Sequence, residues 1–100
     1  MLKITLCCAG GWSTSLLLKK MKKAALARKI ETEIQAVPES NFNEYVVHTD
    51  VLILAPQIGH MKEEMVKKYP DLKIMVVDYQ DYALMNGENV LNEAIALLKK

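Results

Sequence analysis

Apolar residues fall into four short runs in this chain, and the segments between them carry apolar positions at helical spacing. Leu2 to Cys7 is the first run, a short apolar strand, followed by a loop, Ala9-Gly10-Gly11-Trp12-Ser13. From Thr14 to about Lys29, Leu17, Leu18, Met21 and Ala25 share one face while Lys19 and Lys23 point away. That is the periodicity of an amphipathic helix, with Ser13 in position to cap it. Glu31 to Val37 alternates and predicts an edge strand ending at Pro38, and Asn41 to Val47 reads as a short helix. Val51-Leu52-Ile53-Leu54-Ala55 is unbroken apolar sequence, the pattern of a strand covered on both faces. Lys62 to Tyr69 reads as helix and Lys73 to Val77 as another buried strand. Asp78 to Met85 is irregular or helical, and Asn86-Gly87 is a turn. Asn89 to Lys100 is a closing helix with Val90, Leu91, Ala94, Ile95 and Leu98 on its core face.

Strands alternating with helices imply right-handed crossovers and a parallel sheet. The expectation is an α/β fold: one doubly wound domain over residues 1–100, a four-stranded parallel sheet in the order 2-1-3-4, helices on both faces. In such sheets ligands sit beyond the carboxyl ends of the strands. Here those ends deliver Cys8, Pro38-Glu39, Pro56-Gln57 and Asp78 to one edge.

Composition narrows the function. The chain has 100 residues, 51% hydrophobic and 25% charged, with a net charge of +1. A domain of this length buries roughly two-thirds of its unfolded surface, so a core forms without staples. The charge balance and the six aromatic residues do not describe a nucleic-acid surface. No apolar run approaches the ~20 residues that span a bilayer, and the first residues show no signal peptide. Two adjacent cysteines, Cys7 and Cys8, are no disulfide framework. A cytoplasmic monomer with reduced thiols, no cofactor and no membrane insertion is expected.

The chemistry is concentrated in Cys8-Ala9-Gly10-Gly11-Trp12-Ser13-Thr14-Ser15. A nucleophile stands at the end of a strand, then come glycines, hydroxyls and a helix. Gly10 and Gly11 allow the backbone to curl so that several N–H groups face one point. The helix start adds unpaired amides and partial positive charge. Together they describe a cradle for a phosphoryl dianion, with hydroxyl donors from Ser13, Thr14 and Ser15. Helix N-termini also favour thiolate over thiol.

Low-molecular-weight tyrosine phosphatases have a similar loop in which an arginine follows the cysteine after five residues. Here that position is Thr14, and the one arginine of the chain, Arg28, stands near the far end of the helix. The guanidinium that clamps phosphate during hydrolysis is missing from the loop. A loop that holds a phosphoryl group but is ill equipped to hydrolyse it suits a carrier. The rival readings are a small cysteine-dependent phosphatase or arsenate reductase, and a flavodoxin-like binding module without catalysis.

These residues resemble a known family. Cys8 to Ser15 looks like the Cys-x-x-Gly-x-Ser-Thr-Ser loop of the enzyme IIB components of the lactose/cellobiose-type phosphotransferase system. Leu54-Ala55-Pro56-Gln57-Ile58 is similar to the family's Pro-Gln segment, and Val77-Asp78 with Tyr82 and Gly87 to the segment after its fourth strand. The resemblance implies a relay. A phosphohistidine of a IIA protein passes its phosphoryl group to Cys8, which donates it to a cellobiose-, chitobiose- or lactose-like sugar held by a membrane IIC component. The nucleophile maps to Cys8 because Gly11 stands three residues after it and Ser13 five. His60 replaces an expected tyrosine and Ala55 an expected glycine, and Trp12 is large for its position.

Each candidate has a plainer role beside the chemical one. Cys7 is the strand's last core residue. His48 belongs in a loop, and His60, although near the active edge, reads as a solvated side chain. Neither histidine has metal-site spacing with the cysteines. Gln57 and Asp78 stand at strand ends, and an aspartate there is more often a helix cap than a catalyst. Tyr82 touches the site or packs on it. Trp12 is an anchor for a partner or folds back on the loop. The lysines of the first helix form a solvated face, with Lys19 and Lys20 available to an acidic partner.

Overall fold

A computed structural model describes residues 1–8 and 12–99, without the side chains of Trp12, Ser13, Thr14 and Glu39. Ala9, Gly10, Gly11 and Lys100, all named above, lie outside the described residues. Four strands, β1 (Leu2–Cys8), β2 (Thr32–Pro38), β3 (Val51–Leu54) and β4 (Lys73–Val76), form one parallel sheet in the order β2-β1-β3-β4. Four α-helices join or follow them: α1 (Trp12–Ala27), α2 (Lys62–Lys68), α3 (Tyr79–Ala83) and α4 (Gly87–Leu98). The expected class, topology and strand order are those observed.

Burial follows position in the sheet. All four residues of the inner strand β3 are 0% exposed, as an unbroken apolar run requires. The strand expected to be buried at Lys73 to Val77 is buried at Ile74, Met75 and Val77, although it stands at the edge the expected order gives it and Lys73 and Val76 are half-buried. β2, expected as an edge, is one. Leu17, Met21 and Ala25 of α1 enter the core together with Val90, Leu91 and Ala94 of α4, while Leu18, Ile95 and Leu98 are partly buried against it.

Three local expectations change. The segment expected as one short helix is a pair of 3-10 stretches, Glu39–Glu44 and Val46–His48, separated by Tyr45. Another 3-10 stretch, Pro56–Met61, precedes α2, where no helix was expected. Asn86-Gly87 is not a free turn: the Asn86 side chain caps α4 by accepting from Asn89 N at 3.1 Å, and Gly87 is the helix's first residue. A Cβ at Gly87 would lie 2.6 Å from backbone atoms of Lys20 and Met21, so the glycine is what lets α4 start directly against α1.

The ends of α1 and α3 repeat one device. After α1, Lys29 N donates to Leu26 O and Ile30 N to Ala25 O; after α3, Met85 N donates to Tyr82 O and Asn86 N to Asp81 O. Lys29 and Met85 have φ of 57° and 52°. These are Schellman endings, with a side-chain-bearing residue where glycine is commonest.

Candidate functional site

β1 places the candidate nucleophile. Its ladder to β2 runs to its last residue, Cys8 opposite Pro38, and Ala55 N donates to Cys7 O at 3.0 Å on the other side. Cys8 therefore stands at the carboxyl edge of the sheet, with β2 and β3 on either hand. Successive strand side chains take opposite faces, so the two adjacent cysteines face different surroundings. Cys7 is 0% exposed and Cys8 5%.

The next described element after Cys8 is α1, whose first residue is Trp12. Ser13 therefore falls within the first turn and not at the capping position expected for it. The first amides of a helix lack intrahelical acceptors and concentrate partial positive charge, and this positive end begins four residues after Cys8 in the chain. The expected cradle at Ala9, Gly10 and Gly11 lies outside the described residues, as do the side chains of Trp12, Ser13 and Thr14. Ser15 is exposed in the first turns of α1.

The other candidates reach the same edge by different elements. Gln57 and His60 are exposed on the 3-10 stretch that follows β3. Gly59 between them sits close to β4, where a Cβ would meet Val76 Cγ1 at 3.0 Å. Asp78 follows β4 and caps α3, its Oδ1 accepting from Gln80 N at 3.0 Å. The plainer reading of Asp78 is thus observed. Tyr82 is 8% exposed and packs in the core. Tyr79, 68% exposed beside Asp78, stands at the same edge. Sequence reasoning missed it, although its place directly after a capping aspartate was the available signal.

His48 is elsewhere. It ends a 3-10 stretch before β3, whereas His60 lies beyond that strand's other end, separated by a four-residue strand of about 13 Å. Among the described residues no group of three or more His, Cys, Asp or Glu is gathered as metal ligands. Arg28 directly follows the far end of α1, donating to Glu88 at 3.1 Å and to Asn92 Oδ1. An arginine engaged with α4 is not placed to clamp a phosphate at Cys8.

The family model described as PTS system, Lactose/Cellobiose specific IIB subunit matches residues 3–93. The chain is 39% identical over 102 residues to the PTS system galactose-specific EIIB component of Lactococcus lactis subsp. cremoris (strain MG1363), covering 95% of this chain and 94% of that protein. It has the same identity and coverage with the PTS system cellobiose-specific EIIB component of Lactococcus lactis subsp. lactis (strain IL1403). The solution structure of the cellobiose-specific phosphotransferase IIB component protein from Borrelia burgdorferi aligns with a TM-score of 0.81 at 35% identity, covering 98% of this chain and 92% of that one.

Proposed function

Because the chain belongs to the lactose/cellobiose-specific IIB family of the phosphotransferase system, and is thereby a phosphotransferase component, we propose that it carries the phosphoryl group on Cys8. The thiolate of Cys8 attacks the phosphorus of a phosphohistidine on a IIA protein. The S–P bond forms as the N–P bond breaks, and the imidazole leaves and takes up a proton. A sugar hydroxyl held by a membrane IIC protein then attacks the phosphorus. The S–P bond breaks, the thiolate is restored, and the hydroxyl proton passes to solvent or a base on the acceptor's side.

The observation that carries this reading is the position of Cys8, last in β1 and four residues before the first residue of α1 in the chain. Phosphoryl transfer asks little covalent chemistry of a protein beyond the nucleophile; positioning and charge stabilisation lower the barrier. Ala9 to Ser15 supply the main-chain and hydroxyl donors in this account, and Gln57, His60, Asp78 and Tyr82 frame the site. Hydrolysis is disfavoured because the guanidinium it would need is engaged with Glu88 and Asn92.

On this reading the chain works as a cytoplasmic monomer between IIA and IIC. The sugar is a cellobiose-, chitobiose- or lactose-like disaccharide. The two bacterial relatives are named for different sugars at the same identity, so specificity belongs to the acceptor complex.

Incubation with phosphoenolpyruvate, the general phosphotransfer proteins and a cognate IIA tests the proposal. Mass spectrometry of the intact chain is expected to find one added phosphoryl group, and peptide mapping to place it on Cys8. Placement on His60 or Ser13 would contradict the role assigned here.

A further inference from the structure

α1 carries four of the chain's thirteen basic residues and no acid, so the rest of the chain has nine basic against twelve acidic residues. Lys19, Lys20, Lys22 and Lys23 are all exposed, and none has an ion-pair partner among the described residues. Leu16 at 49% exposure and Leu26 at 80% lie on the same outer face, one towards each end of the helix. Beside this face Leu84, 67% exposed, lines a groove of about 440 Å³ with Lys20, Lys23 and Glu88, the last paired with Arg28. The outer face of α1 is therefore basic and carries exposed leucines, on a chain whose remainder is net acidic.

We propose that the outer face of α1 binds the surface of an anionic phospholipid bilayer. Charge complementarity selects the occupant. The cytoplasmic leaflet is negatively charged and attracts basic segments, whereas the cytoplasmic loops of membrane proteins carry excess Lys and Arg and would repel this face. Lysines along a helix with exposed leucines among them match an interfacial binding mode: ammonium groups reach the headgroups while the leucines contact the acyl boundary. The association is weak and reversible, since four lysines are few. Its benefit rests on the proposed function, because it holds the carrier in the plane where a IIC-bound acceptor would stand. The binding itself needs no phosphoryl transfer.

Co-sedimentation with vesicles tests it. The full chain is expected to bind vesicles of mixed phosphatidylglycerol and phosphatidylcholine at low salt, not vesicles of phosphatidylcholine alone, and to be released at about 0.5 M salt. Each lysine removed weakens binding about fivefold, so the Lys19→Gln/Lys23→Gln double variant is expected to bind about 25-fold more weakly while folding normally and accepting phosphate from IIA unchanged. Absence of binding to the anionic vesicles, equal binding to both vesicle types, or full binding by the double variant would each overturn the inference. So would loss of IIA-dependent phosphorylation by the folded double variant without vesicles, which would assign the face to a protein partner. Vesicle binding that fails while Cys8 is phosphorylated normally leaves the carrier function standing; the reverse result leaves the lipid contact standing without it.

Discussion

The two ends of β1 treat polar groups differently. Towards the amino end the chain closes on itself. Asp50 Oδ2 accepts from Lys3 N at 2.9 Å while Asp50 N donates to Lys3 O at 2.7 Å. Thr5, 0% exposed, belongs to a relay in which Gln35 Nε2 reaches its Oγ1 at 3.3 Å, Thr5 and Thr49 hydroxyls meet at 2.7 Å, and Thr49 donates to Tyr45 O at 2.9 Å. Each hydroxyl has one proton, so with Thr49 donating onward it is Thr5 that donates to Thr49. At the carboxyl end, Gln57, His60, Asp78 and Tyr79 are exposed. At the amino end these polar groups are committed to structure; at the carboxyl end Asp78 caps α3, while Gln57, His60 and Tyr79 are exposed at the edge where β1 ends in Cys8. On the proposed function, the comparison puts the buried hydroxyl relay at one end of the strand and the transfer chemistry at the other.

The largest test of that separation is at the cysteines. Cys8→Ser should abolish phosphoryl acceptance while the fold persists, because a hydroxyl is a far weaker nucleophile at neutral pH. Cys7→Ser should keep transfer; its loss in a folded variant, assayed by the IIA-dependent relay, would move the chemistry into the core. Next in size is Gly87→Ala, which forces a methyl into the backbone of Lys20 and Met21. It should destabilise by about 2–4 kcal/mol in urea unfolding, or shift α4 visibly.

Smaller effects sharpen the contrast. Thr5→Val breaks the relay at the amino end and should cost about 1–2 kcal/mol in the same unfolding experiment with no change in transfer rate. Asp78→Ala, at the carboxyl end, removes a helix cap worth about 1 kcal/mol. A transfer rate reduced more than tenfold in folded Asp78→Ala protein would show that Asp78 acts at the site as well as capping α3.

The sheet was legible in the sequence because its signals are local. The unbroken run at Val51 to Leu54 demands burial on both faces, and the alternation of Thr32 to Val37 marks an edge. What escaped depends on packing. Gly87 looks like a turn residue until α1 is seen lying against it. Pro56 to Met61 has no helical periodicity, yet it forms 3-10 turns behind Pro56. The Schellman endings at Lys29 and Met85 carry no glycine, so the usual signal was missing. Of the site, the strand-end places of Cys8, Gln57 and Asp78 followed from topology alone. The burial of Tyr82 and the exposure of Tyr79 did not, because a five-residue helix leaves its facing to the packing around it.

The central claim is that the transferable phosphoryl group resides on the sulfur of residue 8. It is tested most directly by alkylating the folded protein with iodoacetamide before and after complete IIA-dependent phosphorylation, then mapping the label. Cys8 should be modified ahead of the fully buried Cys7 in the untreated protein and be protected once phosphorylated. Equal labelling of Cys8 in both samples would contradict the account.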